Sequence, residues 1–368
     1  MDKIGVEIAL QDIPKSRLYD LASLAKCLVT APLALQYLDL DIDRREQLGF
    51  VGKYAREEPL TARMLLSHQS GLPPWLPFSQ DSNVAQLVTT FDKYGAHPLL
   101  RAGKVGTSTY SDLNFRSLAE ILEKEQRVPY TELATKKGLS HQPWTHTRVY
   151  IEDGWSELSS EDFQRSDEKV RAPVFVPDGP DRATWEIAAK DGLSSYPARH
   201  PHLPHDANSR AGMLGHAGFA ATKAQFEFCL SQWLTEGWPT LQAVPQAIAD
   251  DGYTQWGLGL LRVMDGNGKY GDILLDLMLR QRLSPGVLVL EDDTCELSDP
   301  VPLNDAPGGY GQPTDWWMHT GFTGPMVFVH PASSTVLGLL MHKRGPQGEL
   351  IDIDVRRARA YSMLRKLA

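Results

Sequence analysis

Apolar and polar positions alternate with different periods along the chain, and the changes of period mark out its elements. From Leu21 to Leu38 apolar residues are nearly continuous, which predicts a helix opening near Ser23. Asp20 is placed to cap that helix, and Pro32 to end or kink its first part before Leu33–Leu38. Thr61 is set to cap a short helix over Met64, Leu65 and Leu66 that Gly71 ends. Leu113, Leu118, Ile121 and Leu122 give one apolar side to a helix that Ser111 or Asp112 opens, leaving Tyr110 at a fixed pre-helical position. Phe226, Phe228, Leu230, Trp233 and Leu234 mark another helix, after a glycine-rich turn at 212–218.

Strand patterns are expected at 3–10, at 256–263, and in a tight antiparallel pair, Met326–Val329 and Thr335–Met341, around a turn at 330–334. A terminal helix is expected over Leu350 to Leu367. Two stretches show little periodicity. Residues 139–210, rich in Pro, Trp, His and charge, read as a covering insertion or lid, and a second insertion is expected from after residue 263 to about 312.

Composition narrows the classes. With 368 residues, 42% hydrophobic and 23% charged, the chain can bury a large core as one big domain or two interleaved ones, and it reads as a single domain spanning 1–368. A net charge of −9 without a Lys/Arg cluster argues against nucleic acid as a partner. No apolar run approaches a membrane span, and residues 1–5 show no secretion signal. Three widely spaced cysteines, Cys27, Cys229 and Cys295, fit a reducing compartment, so the sequence as it stands reads as cytoplasmic. Cys27 reads as a small buried apolar residue rather than a reactive thiol.

Candidate chemistry starts with Ser23 and Lys26. Residues three apart share a helix face, so the Lys26 amine can stand beside the Ser23 hydroxyl and take its proton. Roughly one such Ser-x-x-Lys is expected by chance in a chain of this length. A second does occur at Ser166 and Lys169, but its polar surroundings would keep that lysine hydrated and protonated. Ser67, His68 and Ser70 read as ordinary polar residues at a helix C-terminus. His200, His202 and His205 are of ligand type, yet the interleaved prolines give them no recognisable metal spacing.

Ser23-x-x-Lys26, Tyr110-Ser111-Asp112 and His319-Thr320-Gly321, in that order and at those separations, resemble the penicillin-recognising serine hydrolases, and most of all the class C β-lactamase-like family. Leu65–Pro73 is similar to that family's LLTHTSGLP stretch, and His205–Asn208 with Gly215–Gly218 to its HDxNA and GHAG stretches. The resemblance spans about 17 to 345. It implies an α+β, β-lactamase/transpeptidase-like fold. An antiparallel sheet flanked by helices, from about 1–22 and 250–368, would join a mostly helical part with insertions at about 23–249.

The same resemblance implies an acyl-enzyme mechanism. Ser23 would attack a carbonyl while Lys26 and Tyr110 share acid and base work, with Lys26 held neutral by a depressed pKa. The amides of Ser23 and Phe322 would form the oxyanion hole, and His319 and Thr320 would orient a substrate carboxylate or carbonyl oxygen beside Gly321. No metal or organic cofactor is needed. The substrate would be a small molecule or short peptide.

Three departures from the family pattern stand out. Asp112 replaces the commoner Asn and favours a protonated Lys26. His319 replaces the lysine of typical β-lactamases and would be partly charged near neutral pH. Only 22 residues precede Ser23, which leaves room for one strand. The sheet is therefore reduced, completed by a partner chain in a homo-oligomer, or begun further upstream. Esterase or D,D-peptidase chemistry is favoured over β-lactamase. The rivals are a catalytically weak homologue that binds peptidoglycan-like peptides or assembles into oligomers, and a metalloenzyme using His200, His202 and His205.

Overall fold

The computed structural model describes residues 19–52, 56–74, 83–92, 105–134, 145–146, 215–217, 219–221, 223–248, 254–265, 270–280, 282–291, 312–321, 324–341, 360, 363–364 and 367. The strand expected at 3–10, the second Ser-x-x-Lys, the three-histidine stretch, Phe322 and nearly all of the 139–210 segment and the 350–367 helix lie outside them.

In chain order the elements are β1 (Tyr19–Asp20), a π-helical segment (Lys26–Thr30), α1 (Ala31–Tyr37), α2 (Ala62–Leu66), α3 (Val84–Asp92), α4 (Asp112–Gln126) and α5 (Tyr130–Glu132). Then follow β2 (Thr145–His146), β3 (Phe219–Ala221), α6 (Lys223–Thr235), α7 (Trp238–Gln242), β4 (Ala247–Ile248), β5 (Gln255–Trp256) and β6 (Leu261–Met264). The chain continues with α8 (Tyr270–Leu279), β7 (Gly286–Glu291), β8 (Pro313–Thr320), β9 (Met326–His330) and β10 (Thr335–Leu340).

The main sheet has seven strands in the order β4-β5-β6-β8-β9-β10-β7. It is antiparallel throughout except for its last pair, where β7 lies parallel to β10 with Gly286 opposite Thr335. A second sheet of three short strands runs β1-β3-β2. The expected terminal pair is present, with Val336 opposite Val329 and Leu337 opposite Phe328.

Both faces of the main sheet are covered, which explains why β9 and β10 read as unbroken apolar runs rather than alternating ones. Trp316, Met318, Phe328, Leu337 and Leu339 face one core with Leu274 and Leu277 of α8 and with Ala360, Met363 and Leu364. Trp317, Val327, Val329, Val336 and Leu340 face the larger core, with Leu21, Leu24, Leu28, Phe115, Phe226 and Trp233. The strand turn that carries His319 therefore looks toward the helical part.

Several sequence expectations change. Asp20 lies in β1 rather than at the start of the helix; the chain turns at Ala22–Ser23 and becomes helical at Leu24. The 256–263 run is a hairpin, because Gly257 N–H donates to the Leu260 carbonyl at 2.8 Å and folds β6 back on β5. The supposed second insertion supplies α8 and β7, so part of it is core structure: parallel pairing on β10 gives Gly286–Glu291 backbone partners that a sequence pattern cannot show. In α6 Phe226, Leu230 and Trp233 are buried, whereas Phe228 is exposed. Thr61 caps α2 as expected, its hydroxyl accepting from Met64 N–H at 3.2 Å, but α2 stops at Leu66, well before Gly71. In α4 burial extends around the whole helix from Asp112 to Leu122, so its polar residues are inside as well.

Candidate active site

The turn that presents Ser23 is sharp. Ala22 adopts φ +43°, a left-handed conformation that costs a non-glycine residue about 1–2 kcal/mol. Such strain is retained where surrounding structure over-determines it. The end of β8 presses on this turn: a Cβ at Gly321 would stand 2.8 Å from the Leu21 carbonyl oxygen, so only glycine permits the approach.

Helical bonds after Ser23 widen over Lys26–Thr30, where Ala31 N–H donates to the Lys26 carbonyl, one residue further than in an α-helix. The same pattern would have residue 32 serve the Cys27 carbonyl, and Pro32 has no N–H to give. The amide of fully buried Gln242 takes its place, donating to the Cys27 oxygen at 2.9 Å while its own oxygen accepts from Trp233 Nε1 at 2.7 Å. Within this widened pattern proline leaves the Cys27 carbonyl without a helical donor, and a side chain from α7 supplies one.

Lys26 is fully buried; its amine donates to Ser23 Oγ at 2.8 Å and to the His216 carbonyl at 2.9 Å, and forms an ion pair with Asp112 Oδ1 at 2.8 Å. His216 reaches in because Gly215, at φ +92°, packs where a Cβ would lie 2.3 Å from the Phe115 carbonyl oxygen. On the other side of Ser23, the Tyr110 hydroxyl donates to Oγ at 3.0 Å. The structure thus brings Ser23, Lys26, Tyr110 and Asp112 together, with His319 beyond Tyr110 at a ring separation of 6.2 Å.

Electrostatics alter two expectations. Burial pulls Lys26 down, but the Asp112 carboxylate and then Tyr110 outweigh it, and the amine is held above the ordinary lysine value rather than depressed. For Asp112 burial pushes up, Lys26 pulls down, and the carboxyl ends below its usual range. The resting pair is therefore ionised, as the aspartate in the tyrosine motif led one to expect. Tyr110 is raised, chiefly by burial, so its phenol is neutral; the residue is 37% exposed, but its hydroxyl is aimed at buried Ser23.

His319 is pushed down to about 3 by burial and then by Lys26, so it is neutral rather than partly charged. Its Nδ1 lies 3.0 Å from the Thr320 carbonyl, which can only accept, so the proton sits on Nδ1 and Nε2 is a bare acceptor. Among the described residues Nε2 has no hydrogen-bond partner. A carboxylate is the wrong complement for such a group.

Ser67, His68 and Ser70, expected to be unremarkable, are all fully buried, and His68 packs on Tyr110 at 4.7 Å between ring centroids. Sequence gave no signal for this beyond the Leu65–Pro73 stretch itself. Phe322, the other expected oxyanion donor, lies outside the described residues. Among those residues no group of three or more His, Cys, Asp or Glu is placed to hold a metal ion, and no helix is long and apolar enough to cross a membrane.

A family model described as Beta-lactamase matches residues 13–361. Among solved structures, the chain is similar to a class C beta-lactamase at 15% identity, covering 95% of this chain and 82% of that one, with a TM-score of 0.47. It is similar to SurE with D-Leu at 15% identity, covering 96% of this chain and 64% of that one, with a TM-score of 0.50. The octameric penicillin-binding protein homologue from Pyrococcus abyssi matches at 14% identity, over 94% of this chain and 66% of that one, with a TM-score of 0.47. The chain thus spans less than two thirds of the SurE structure. A comparison with curated proteins finds no match.

Proposed function

Because this chain belongs to the Beta-lactamase family, we propose that it is a serine hydrolase that works through an acyl-enzyme on an uncharged ester of modest size. The observation that carries this reading is the position of Ser23 Oγ between Lys26 Nζ at 2.8 Å and the Tyr110 hydroxyl at 3.0 Å. Neither neighbour is a base at rest, since Lys26 is protonated and Tyr110 neutral.

Asp112 supplies the missing acceptor. As Ser23 attacks the carbonyl carbon, its proton passes to Lys26 while Lys26 hands one to Asp112 Oδ1, 2.8 Å away. The ionised pair becomes one carboxylic acid and one ammonium, and the negative charge moves to the tetrahedral oxygen. On collapse the C–O bond to the leaving alcohol breaks, Tyr110 protonates that oxygen, and Lys26 and Asp112 restore the phenol. Water repeats the sequence to release the acid. The Ser23 amide, at the turn that opens the helix, is one donor to the oxyanion.

Ester is preferred over D,D-peptide or β-lactam because His319 offers an acceptor and no charge, whereas the latter two carry a carboxylate. A second reading, a catalytically weak homologue that binds peptides, has the protonated Lys26 on its side.

Treatment with a fluorophosphonate, followed by mapping of the adduct, tests the proposal. An adduct at Ser23, with p-nitrophenyl ester turnover lost in Ser23→Ala and lowered about 10²–10⁴-fold in Tyr110→Phe, is expected. No adduct and no turnover would favour the silent homologue. Turnover that survives Ser23→Ala but is abolished by a chelator would point instead to a metal.

A further inference from the structure

Among the described residues the segment that carries Tyr110 belongs to no helix or multi-residue strand. Tyr110 stands just ahead of α4, two residues after a single β-bridge position at Ser108. What fixes it is the 67–74 segment. Thr109 N–H donates to the His68 carbonyl at 2.8 Å, Ser108 Oγ donates to the Ser67 carbonyl at 3.0 Å, and Ser111 Oγ donates to the Pro73 carbonyl at 2.6 Å.

At the centre is the His68 imidazole. Its Nδ1 accepts from the Ser111 backbone N–H at 3.1 Å and from Asn114 Nδ2 at 3.0 Å. An atom that receives two N–H groups carries no proton, so the ring is the neutral tautomer with hydrogen on Nε2. Asn114 is oriented in turn by Ser70, whose hydroxyl donates to Asn114 Oδ1 and accepts from Leu72 N–H. The ring itself lies among Tyr110 at 4.7 Å, Phe115 at 5.4 Å and Trp256 at 4.5 Å, the last edge to face. His68 thus grips the residue after Tyr110 by hydrogen bond and the phenol ring by contact.

The backbone also marks the position. His68 has φ +59°, in the left-handed region that glycine adopts freely and that asparagine, aspartate and histidine enter more readily than other residues. A helix C-terminus needing only a turn would be served by asparagine or glycine. The turn carries a fully buried imidazole against the Tyr110 ring, where asparagine or glycine would leave that contact unmade.

We infer that His68 is the positioning residue for Tyr110, holding the phenol at hydrogen-bond distance from Ser23 through the Ser111 amide and through ring contact. This rests on the serine-hydrolase reading above. On this reading His68 is not a catalytic residue: it acts through Tyr110.

Two substitutions separate the hydrogen bond from mere bulk, because both accept a positive φ. His68→Asn keeps an acceptor near the Nδ1 position, and His68→Gly removes it. Fluorophosphonate labelling of the full-length protein gives an amplitude, which reports the folded fraction, and a rate constant, which reports the site.

The expected result is a rate constant lowered on the order of 100-fold in His68→Gly, the size associated with a misplacement of about 1 Å, with substantial recovery in His68→Asn. In a Tyr110→Phe background His68→Gly should cost nothing further, since the two act as one unit. An equal loss in both backgrounds, or a loss confined to amplitude, would overturn the inference. Ultraviolet difference titration of the Tyr110 phenol, wild type against Tyr110→Phe, is an arm that needs no catalysis. His68→Gly should shift that titration, and an unmoved curve counts against the inference. Absence of any Ser23 adduct in the wild type would instead remove the hydrolase reading, leaving the phenol titration to judge His68.

Discussion

Replacing Asp112 by asparagine removes one charge from a buried pair without changing its shape, and its consequences follow from the distances. At 2.8 Å the two charges attract by about 6 kcal/mol at an effective dielectric constant of about 20. Lys26, fully buried, would be left unpaired, and burial already pulls its pKa down. It would escape part of the penalty by releasing its proton. The net destabilisation near neutral pH is therefore expected at about 3 kcal/mol, the low end for breaking a buried pair.

The sign with pH is distinctive. In the wild type Lys26 is raised above its unfolded value of 10.5, so its contribution is fully present below that pH and fades only as pH rises through the folded value. Asp112 is lowered from 3.8, so its contribution is present above that value and is lost as pH falls through the folded one. The wild-type pair should therefore add little slope between about pH 5 and pH 9. In Asp112→Asn the folded Lys26 would titrate below the unfolded one, so stability should climb as pH rises toward 10.5.

Urea unfolding of both proteins across that range should show the stability gap narrowing as pH rises. The Lys26-dependent limb of the labelling rate should also move to lower pH in the variant. A constant gap together with an unmoved limb would show that Asp112 does not govern the Lys26 proton.

Two further outcomes follow from single contacts. His319→Lys places a cation where the wild type presents a bare acceptor, so the ratio of kcat/KM for carboxylate-bearing over neutral esters should rise about tenfold or more, the size of one charge-assisted hydrogen bond; an unchanged ratio would remove His319 from the substrate's surroundings. Gln242→Glu keeps the acceptor for Trp233 but deprives the Cys27 carbonyl of its donor, so chemical denaturation should show a loss of about 1–3 kcal/mol together with slower labelling of Ser23. Wild-type stability in that variant would mean the carbonyl is served otherwise.

Sequence alone determined the local terms of this protein. Thr61 as a cap, the terminal antiparallel pair and the presence of the helices α4 and α6 depend on residues near one another in the chain, where propensity and period act directly. The ordered Ser23, Lys26, Tyr110 and His319 were legible for another reason: their types and spacings match a family, although no local physics joins residues 87 positions apart such as Ser23 and Tyr110.

Tertiary structure decided what depends on distant groups. Lys26 changes from the depressed base of the sequence reading to a protonated partner because Asp112 closes to 2.8 Å while both are removed from water. His319 loses its charge for the related reason that burial and Lys26 both oppose it. His68 reads as an ordinary polar residue at a helix C-terminus because sequence shows only its neighbours, while its two bonds and its ring contacts come from residues 42 to 188 positions away. The opposite case is β7, hidden in a stretch read as an insertion because its backbone finds partners only on β10. Period and propensity are properties of a segment; charge state, tautomer and strand pairing belong to the surroundings, and folding supplies those.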